Sequence, residues 1–191
     1  MKTLQNQTLL YDEDCPLCSL YTTGFIKANM LDENGKKPFV NLTPEEQQII
    51  DLDRAKNEIA LVNTVDNTVL YGIDSLLRIL GHSFPWIEKV GHFKPVNYFL
   101  RKLYKLISYN RKVIIPGKEL PAHELQCVPD FNVKYRLFYI VLALLFTANI
   151  LFKYAQLLPF LAKNNFVIEL LLALGQIGFQ WLFVQNINRQ K

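Results

Sequence analysis

Cys15-Pro16-Leu17-Cys18 is the segment of this 191-residue chain whose residue types and spacing suit chemistry. Two of the three cysteines stand there, three positions apart. On a helix, that offset puts both sulfurs on one face, close enough to close a small disulfide ring. A cysteine at a helix N-terminus meets unpaired amides and the positive end of the helix dipole, and both favour the thiolate. The thiolate is the nucleophile of disulfide exchange. Pro16 suits the first helical position, where its missing amide costs nothing. Cys15 is therefore read as the attacking thiol and Cys18, one turn on, as the resolving thiol. Asp12 and Asp14 pull the other way, because negative charge beside Cys15 opposes thiolate formation. Asp12, at the end of a predicted strand, is also placed to take a proton from Cys18 during resolution. Asp14 reads equally well as a solvated turn residue.

Two other readings of the thiols stay open. One is a pair of inert, half-buried cysteines. The other is zinc: His123 and Cys127, four apart, would complete a Cys3His set with Cys15 and Cys18. Those two residues lie between Pro121 and Pro129, and nothing in the sequence brings that loop to Cys15. Cys127 reads as an ordinary loop cysteine, and His82 and His92 as surface or packing residues.

The elements that must position Cys15 and Cys18 alternate. Residues 7–11 (QTLLY) suit a strand, 15–29 a helix, and 38–42 (PFVNL) a second strand. Thr43, Pro44 and Glu46 make a helix start with a capping box, and that helix should run to about Lys56. Residues 58–63 and 68–71 read as strands joined by a tight turn at Asp66-Asn67. Gly72 and Asp74 open a helix through Leu80, with Gly81 as its stop. The order βαβα followed by ββα is that of a thioredoxin-like α/β fold, with helices on both faces of a sheet. A further helix, 96–109, places Val96, Phe99, Leu100, Leu103, Leu106 and Ile107 on one side. Tyr98, Arg101, Lys102, Lys105 and Tyr109 fall on the other. It reads as a domain helix with a solvated basic face, as a helix lying on anionic headgroups, or as both. No nucleic-acid motif accompanies the charge, so no nucleic-acid partner is expected.

Charge divides the chain. Residues 1–136 carry 17 Lys+Arg and 16 Asp+Glu, whereas 137–191 hold only Lys153, Lys163, Glu169, Arg189 and Lys191. Residues 137–152 are sixteen in a row without a charge, and 166–185 contain only Glu169. A bilayer crossing needs about 20 mostly apolar residues. The second run has that length, and the first reaches it if Tyr135 joins or Lys153 snorkels. A C-terminal two-helix transmembrane hairpin is expected, turning at Lys163-Asn164-Asn165, with Glu169 near enough to the turn to reach interface water. Lys134, Arg136, Arg189 and Lys191 outside the hairpin, with seven basic residues and no acids in 94–118, favour both termini in the cytoplasm. No apolar signal-peptide core precedes Asp12. The expected organisation is an α/β domain over 1–118, a juxtamembrane linker over 119–136, and the hairpin and short tail over 137–191. Ordinary glycine and proline counts, 50% hydrophobic residues and three cysteines exclude collagen-like, disordered and disulfide-stapled classes. No solenoid repeat is present.

Asp12-Glu13-Asp14-Cys15-Pro16-Leu17-Cys18, with Tyr11 before it, resembles the DxxCxxC signature of the DCC family of predicted thiol-disulfide oxidoreductases. Residues 66–80 and 93–112 are similar to that family's strand-Gly-helix block and its Tyr/Arg-containing helix. The resemblance covers about 7–115 and implies a thioredoxin-like fold, a redox-active Cys15/Cys18 pair and Asp12 as the motif aspartate. Glu13 stands where the family usually has glycine. No proline lies between Pro44 and Pro85, so the peptide-binding edge of thioredoxins is not reproduced.

The expected activity is that of a membrane-anchored thiol-disulfide oxidoreductase facing the cytosol. Its partners would be a protein or small-molecule disulfide or thiol substrate, a cellular thiol reductant and the lipid bilayer, with no bound organic cofactor. The alternative is a non-catalytic membrane adaptor with a thioredoxin-like binding domain, with or without the zinc set.

Overall fold

The structure, a computed structural model, describes residues 3–116, 125, 127–157 and 165–189, without the side chains of 181 and 183–189. The chain divides into two compact units, Met1–Arg136 and Leu137–Lys191.

The first unit is built on a four-stranded mixed sheet. Its strands are β1 (Gln7–Tyr11), β2 (Lys36–Pro38), β3 (Ala60–Asn63) and β4 (Val69–Tyr71), in the order β2-β1-β3-β4. β1 runs parallel to β2, with Leu9 opposite Lys36, and antiparallel to β3, with Leu9 opposite Leu61. β4 returns antiparallel beside β3. Successive side chains of a strand point to opposite faces, and here both faces are covered. Leu9, Leu61 and Ile79 pack with Leu31 and Ile59 on one side. Leu10 and Ala60 pack with Phe39, Leu42, Ile50 and Cys127 on the other. This mixed α/β unit is consistent with the thioredoxin-like fold that the element order implies.

The helices of this unit are α1 (Pro16–Lys27), α2 (Pro44–Ile49), α3 (Leu52–Ala55), α4 (Ile73–Ser83), α5 (Pro85–His92) and α6 (Lys94–Ile114). Several differ from the sequence-based expectation. The second strand is 36–38, not 38–42: Pro38 has no amide to continue a ladder, and residues 39–41 coil into a 3-10 turn. The single helix expected over 43–56 is two. Its capping box forms as expected, with Thr43 Oγ1 accepting from the Glu46 amide and Glu46 Oε2 accepting from the Thr43 amide. The chain then straightens at Ile50, which is buried in the core, and Asp51 caps a fresh helix by accepting from the Arg54 amide. Gly81 does not stop α4: a side chain there would meet Glu88 at 2.6 Å, so its role is the close approach of α5. Helix α5, with Pro85 in its first turn, is not anticipated by the sequence pattern. Gly72 has φ +61° and ψ −130°, a conformation glycine adopts readily and other residues do not.

The second unit contains most of α7 (Val133–Leu157) and all of α8 (Phe166–Arg189). Tyr135 and Lys153 both lie inside α7, which is long and apolar enough to cross a membrane. At about 1.5 Å per residue its 25 residues exceed a hydrocarbon core of about 30 Å. The apolar stretch of α8, Phe166–Gln180, is shorter. Glu169 is buried rather than open to interface water. The proposed turn residues Lys163 and Asn164 lie outside the described residues.

Candidate functional site: a buried thiol pair beside an arginine

Cys15 is the N-cap of α1, with Pro16 at the first helical position. The preceding turn is closed by the Cys15 amide donating to the Asp12 carbonyl at 3.2 Å. The Asp14 amide donates to Asp12 Oδ1 at 3.1 Å, a local turn bond of the kind aspartate favours. Strand, turn and helix therefore place Asp12, Cys15 and Cys18 as the spacing predicts. All three are buried: Asp12 is 4% exposed, Cys15 0% and Cys18 5%. All three cysteines of the chain are free thiols.

The two thiols of the pair are electrostatically unlike. A hydrogen bond from Cys18 is the largest influence on Cys15 and, with the Cys18 amide and the charge of Arg111, lowers its pKa to about 6. Burial and Asp12 oppose this and are outweighed. The same sulfur–sulfur interaction and burial hold the Cys18 proton on, far above the ordinary thiol range. The order expected from helix position, Cys15 ionised and Cys18 protonated, is thus the order the surroundings favour.

Arg111, from α6, organises the rest. It is 5% exposed. Its Nη2 lies 3.2 Å from Asp12 Oδ2 and donates to the Lys56 carbonyl at 3.1 Å and the Cys127 carbonyl at 2.8 Å. Lys112 Nζ adds a second cation 3.8 Å from Asp12 Oδ2. A buried charge is tolerated where it is paired and hydrogen-bonded. The negative charge expected to suppress the Cys15 thiolate is thus offset by a guanidinium that also favours it.

Cys127 is not the remote loop cysteine the sequence suggested. Its sulfur lies 3.4 Å from Arg111 Nη2, and it lines the same cleft as Cys18. Burial pushes its pKa up to about 11, against the pull of Arg111. A guanidinium at that distance is an unfavourable neighbour for a bound cation. Among the described residues no group of three or more ligating side chains gathers, and His123 lies outside them.

The cleft has a volume of about 200 Å³ and is lined in part by Cys18. Its walls are largely apolar: Leu10, Leu17, Phe39, Ile59, Leu76 and Ile107, with Tyr21 and Tyr104. Burial holds both phenols protonated well above the ordinary range. Tyr104 accepts from the Ile59 amide at 2.7 Å, which ties α6 to the start of β3.

Sequence reading missed Arg111, Tyr104 and Tyr21 as parts of this site. The signal was present for the first two. Leu100, Tyr104, Ser108 and Arg111 recur at four, four and three residues, the spacing of one helix face. Counting Arg111 with the other basic residues of 94–118 only as charge flanking the hairpin hid it. The apolar face assigned to this helix is also revised: Leu106 is buried, whereas Phe99, Leu103 and Ile107 are exposed. On the basic side, Arg101 pairs with Asp74 at 2.8 Å and Lys105 with Glu58 at 3.8 Å.

No curated protein and no solved structure matches the chain. Residues 9–115 do match a described family, a span that contains the thiol pair, the sheet and Arg111. By that match, over more than half its length, the chain belongs to the DCC1-like thiol-disulfide oxidoreductase family.

Proposed function

We propose that the first unit carries out thiol-disulfide exchange through Cys15 and Cys18 and is anchored by α7 and α8. The observation that carries this reading is the placement of Cys15 at the start of α1, hydrogen-bonded by Cys18 and near a buried guanidinium. The Cys15 thiolate attacks one sulfur of a disulfide R–S–S–R. A Cys15–S–S–R bond forms, the S–S bond of the substrate breaks, and R–S⁻ leaves. Cys18 gives up its proton, with Asp12 as the candidate acceptor, and attacks the Cys15 sulfur. The second R–S⁻ leaves, and the protein is left with a Cys15–Cys18 disulfide. A cellular thiol reductant returns the pair to two thiols, and the scheme needs no bound organic cofactor.

Substituting Cys18→Ser removes the resolving sulfur, so a mixed disulfide through Cys15 should accumulate under mild oxidation. Cys15→Ser should abolish it. Thiol trapping of the natural chain across a redox series then gives the potential of the couple, and with it the direction of exchange. A pair that never forms the intramolecular disulfide overturns the reading.

One observation favours a second reading, a non-catalytic membrane adaptor: Cys15 has no exposed surface. An adaptor would keep its function when Cys15 and Cys18 are both replaced by serine, and lose it when Arg101, Lys102 and Lys105 are neutralised.

The anchor part rests on the length and apolar surface of α7 and on the charge flanking the hairpin. The full chain should resist alkaline extraction from membranes, and the first unit should face the cytoplasm in protease-protection assays. Extraction of the intact chain at high pH would refute the anchor.

A further inference from the structure

The exposed surface leads toward one thiol and not the other. Ile107, 41% exposed, and half-buried Leu17 line the cleft together with buried Cys18. Ile107 continues a line of exposed apolar residues up α6 through Leu103 and Phe99, at four-residue spacing. The cleft holds about 200 Å³. An apolar cavity of roughly 150 Å³ takes a benzene ring, so this one accepts a ring or branched alkyl group and a few further atoms. A tripeptide or an extended chain segment does not fit. The polar elements are Ser108, Asp12 and Arg111, the last two paired at 3.2 Å, and the buried Nε of Arg111 has no hydrogen-bond partner among the described residues.

We infer that this cleft is the substrate subsite: it receives the compact, uncharged apolar group of a small disulfide and presents the attached sulfur to the Cys15/Cys18 pair. The inference rests on the thiol-disulfide reading above and adds the chemical class of substrate to it. In the mixed disulfide Cys15–S–S–R, R occupies the cleft alongside Cys18. When Cys18 attacks the Cys15 sulfur, the Cys15–S–R bond breaks and R–SH, after taking up a proton, leaves by way of Leu17 and Ile107. The overall change is two protein thiols plus R–S–S–R to one protein disulfide plus two R–SH, with the substrate disulfide as the oxidant. The apolar walls disfavour charged R groups, because a charge entering them loses its hydration, and the charges of Asp12 and Arg111 in the lining already compensate one another.

The test uses the reduced full chain in detergent and two compact uncharged reagents, benzyl methyl disulfide and bis(2-hydroxyethyl) disulfide. Oxidation of the Cys15/Cys18 pair is followed by thiol trapping, and each rate is divided by that of dithiothreitol in the same solution, which cancels intrinsic reactivity and partition into micelles. One methylene in an apolar pocket changes rates roughly 10- to 200-fold, so the benzyl reagent should be favoured at least tenfold. Ile107→Trp, a bulky side chain at the partly exposed rim, should bring the ratio to within about twofold of one. A ratio near one in the natural chain, with the pair still oxidised, overturns the cleft assignment and leaves the exchange reading standing. Failure of both reagents to form the Cys15–Cys18 disulfide overturns the exchange reading and the cleft assignment with it. A high ratio that Ile107→Trp leaves untouched, in a variant with the natural melting profile, also overturns the assignment.

Discussion

The two units treat burial in opposite ways. Met1–Arg136 encloses Leu9, Leu61 and Ile79 almost completely, and it also encloses charge: Asp12 and Arg111 are buried together, and the guanidinium meets two backbone carbonyls besides. In Leu137–Lys191 the apolar side chains stay outside, with Phe146 70% exposed and Leu142, Leu145, Leu171 and Leu172 also open. In water, the first pattern is a finished core and the second is unsatisfied apolar surface. In lipid, an outward apolar surface on two helices is the stable arrangement, because a helix satisfies its own backbone polar groups. The first unit's burial thus suits water, and under the anchor proposed above the open apolar surface of the second suits lipid.

The sharpest way to break this comparison is at the buried charge. Arg111→Leu leaves Asp12 inside the first unit with only the more distant Lys112 as a cation. Removing one partner of a buried pair costs about 3–5 kcal/mol, so urea denaturation of the reduced protein should show most of the unit's stability gone. Asp12→Leu in the same chain should recover part of the loss. If Arg111→Leu is neutral, the pair is not held as described.

The matching experiment in the second unit is Leu145→Arg, near the middle of α7 and on its exposed surface. At the centre of a membrane helix an arginine costs roughly 2.5–3.5 kcal/mol, so the fraction of chain retained in membranes after alkaline extraction should fall sharply. Unchanged retention would mean that the exposed face of α7 does not meet lipid.

At the site itself, the pH dependence of alkylation sharpens the contrast between the two thiols. With a pKa of about 6 against the ordinary 9.0, Cys15 carries about 90-fold more thiolate at pH 7 than an unperturbed thiol would. Its iodoacetamide rate, low in absolute terms because the sulfur is covered, should rise with a midpoint near pH 6 and flatten by pH 8. A midpoint near 9 would remove the electrostatic argument. The linked effect on stability follows in sign. A depressed folded-state value contributes stability that is fully present above pH 9 and is lost as the pH falls through 6. Cys18, raised from 9.0, has the opposite sign: its effect is absent below about pH 9 and destabilises progressively as the pH rises above that value.

The smallest effect belongs to an ordinary surface feature. Thr43→Ala removes one half of the capping box at the start of α2 and should cost about 1 kcal/mol, with no change in the Cys15 midpoint. A shift of that midpoint would tie the thiol pair to a region it does not touch.

These expectations draw on two kinds of information. What lies within a few residues was legible from the chain alone. Strand β1, the start of α1 at Cys15-Pro16, the capping box at Thr43 and the paired strands β3 and β4 all follow from local rules. A missing proline amide, a side chain closing on a nearby amide, and alternation along a strand need no distant partner. The core of α7 was legible for a similar reason, because the uncharged run of residues 137–152 is a property of the run itself; its bounds, which take in Lys134, Arg136 and Lys153, were not. The break at Ile50 was not, since it depends on that side chain being drawn into a core assembled from strands on either side of it in sequence. Nor was the use of Gly81, whose role is set by a neighbouring helix.

The composition of the site divides along the same line. The sequence determined that two thiols stand at a strand-to-helix junction with a carboxylate three residues before them, because all of that is written within seven residues. Only the tertiary structure decided that Arg111, 99 positions from Asp12 in the chain, is the cation that makes the carboxylate tolerable there. It also decided that Cys127 faces the same cleft as Cys18. Charge and burial act through space, and the partner of a buried group is chosen by which helix face the packed core leaves pointing at it.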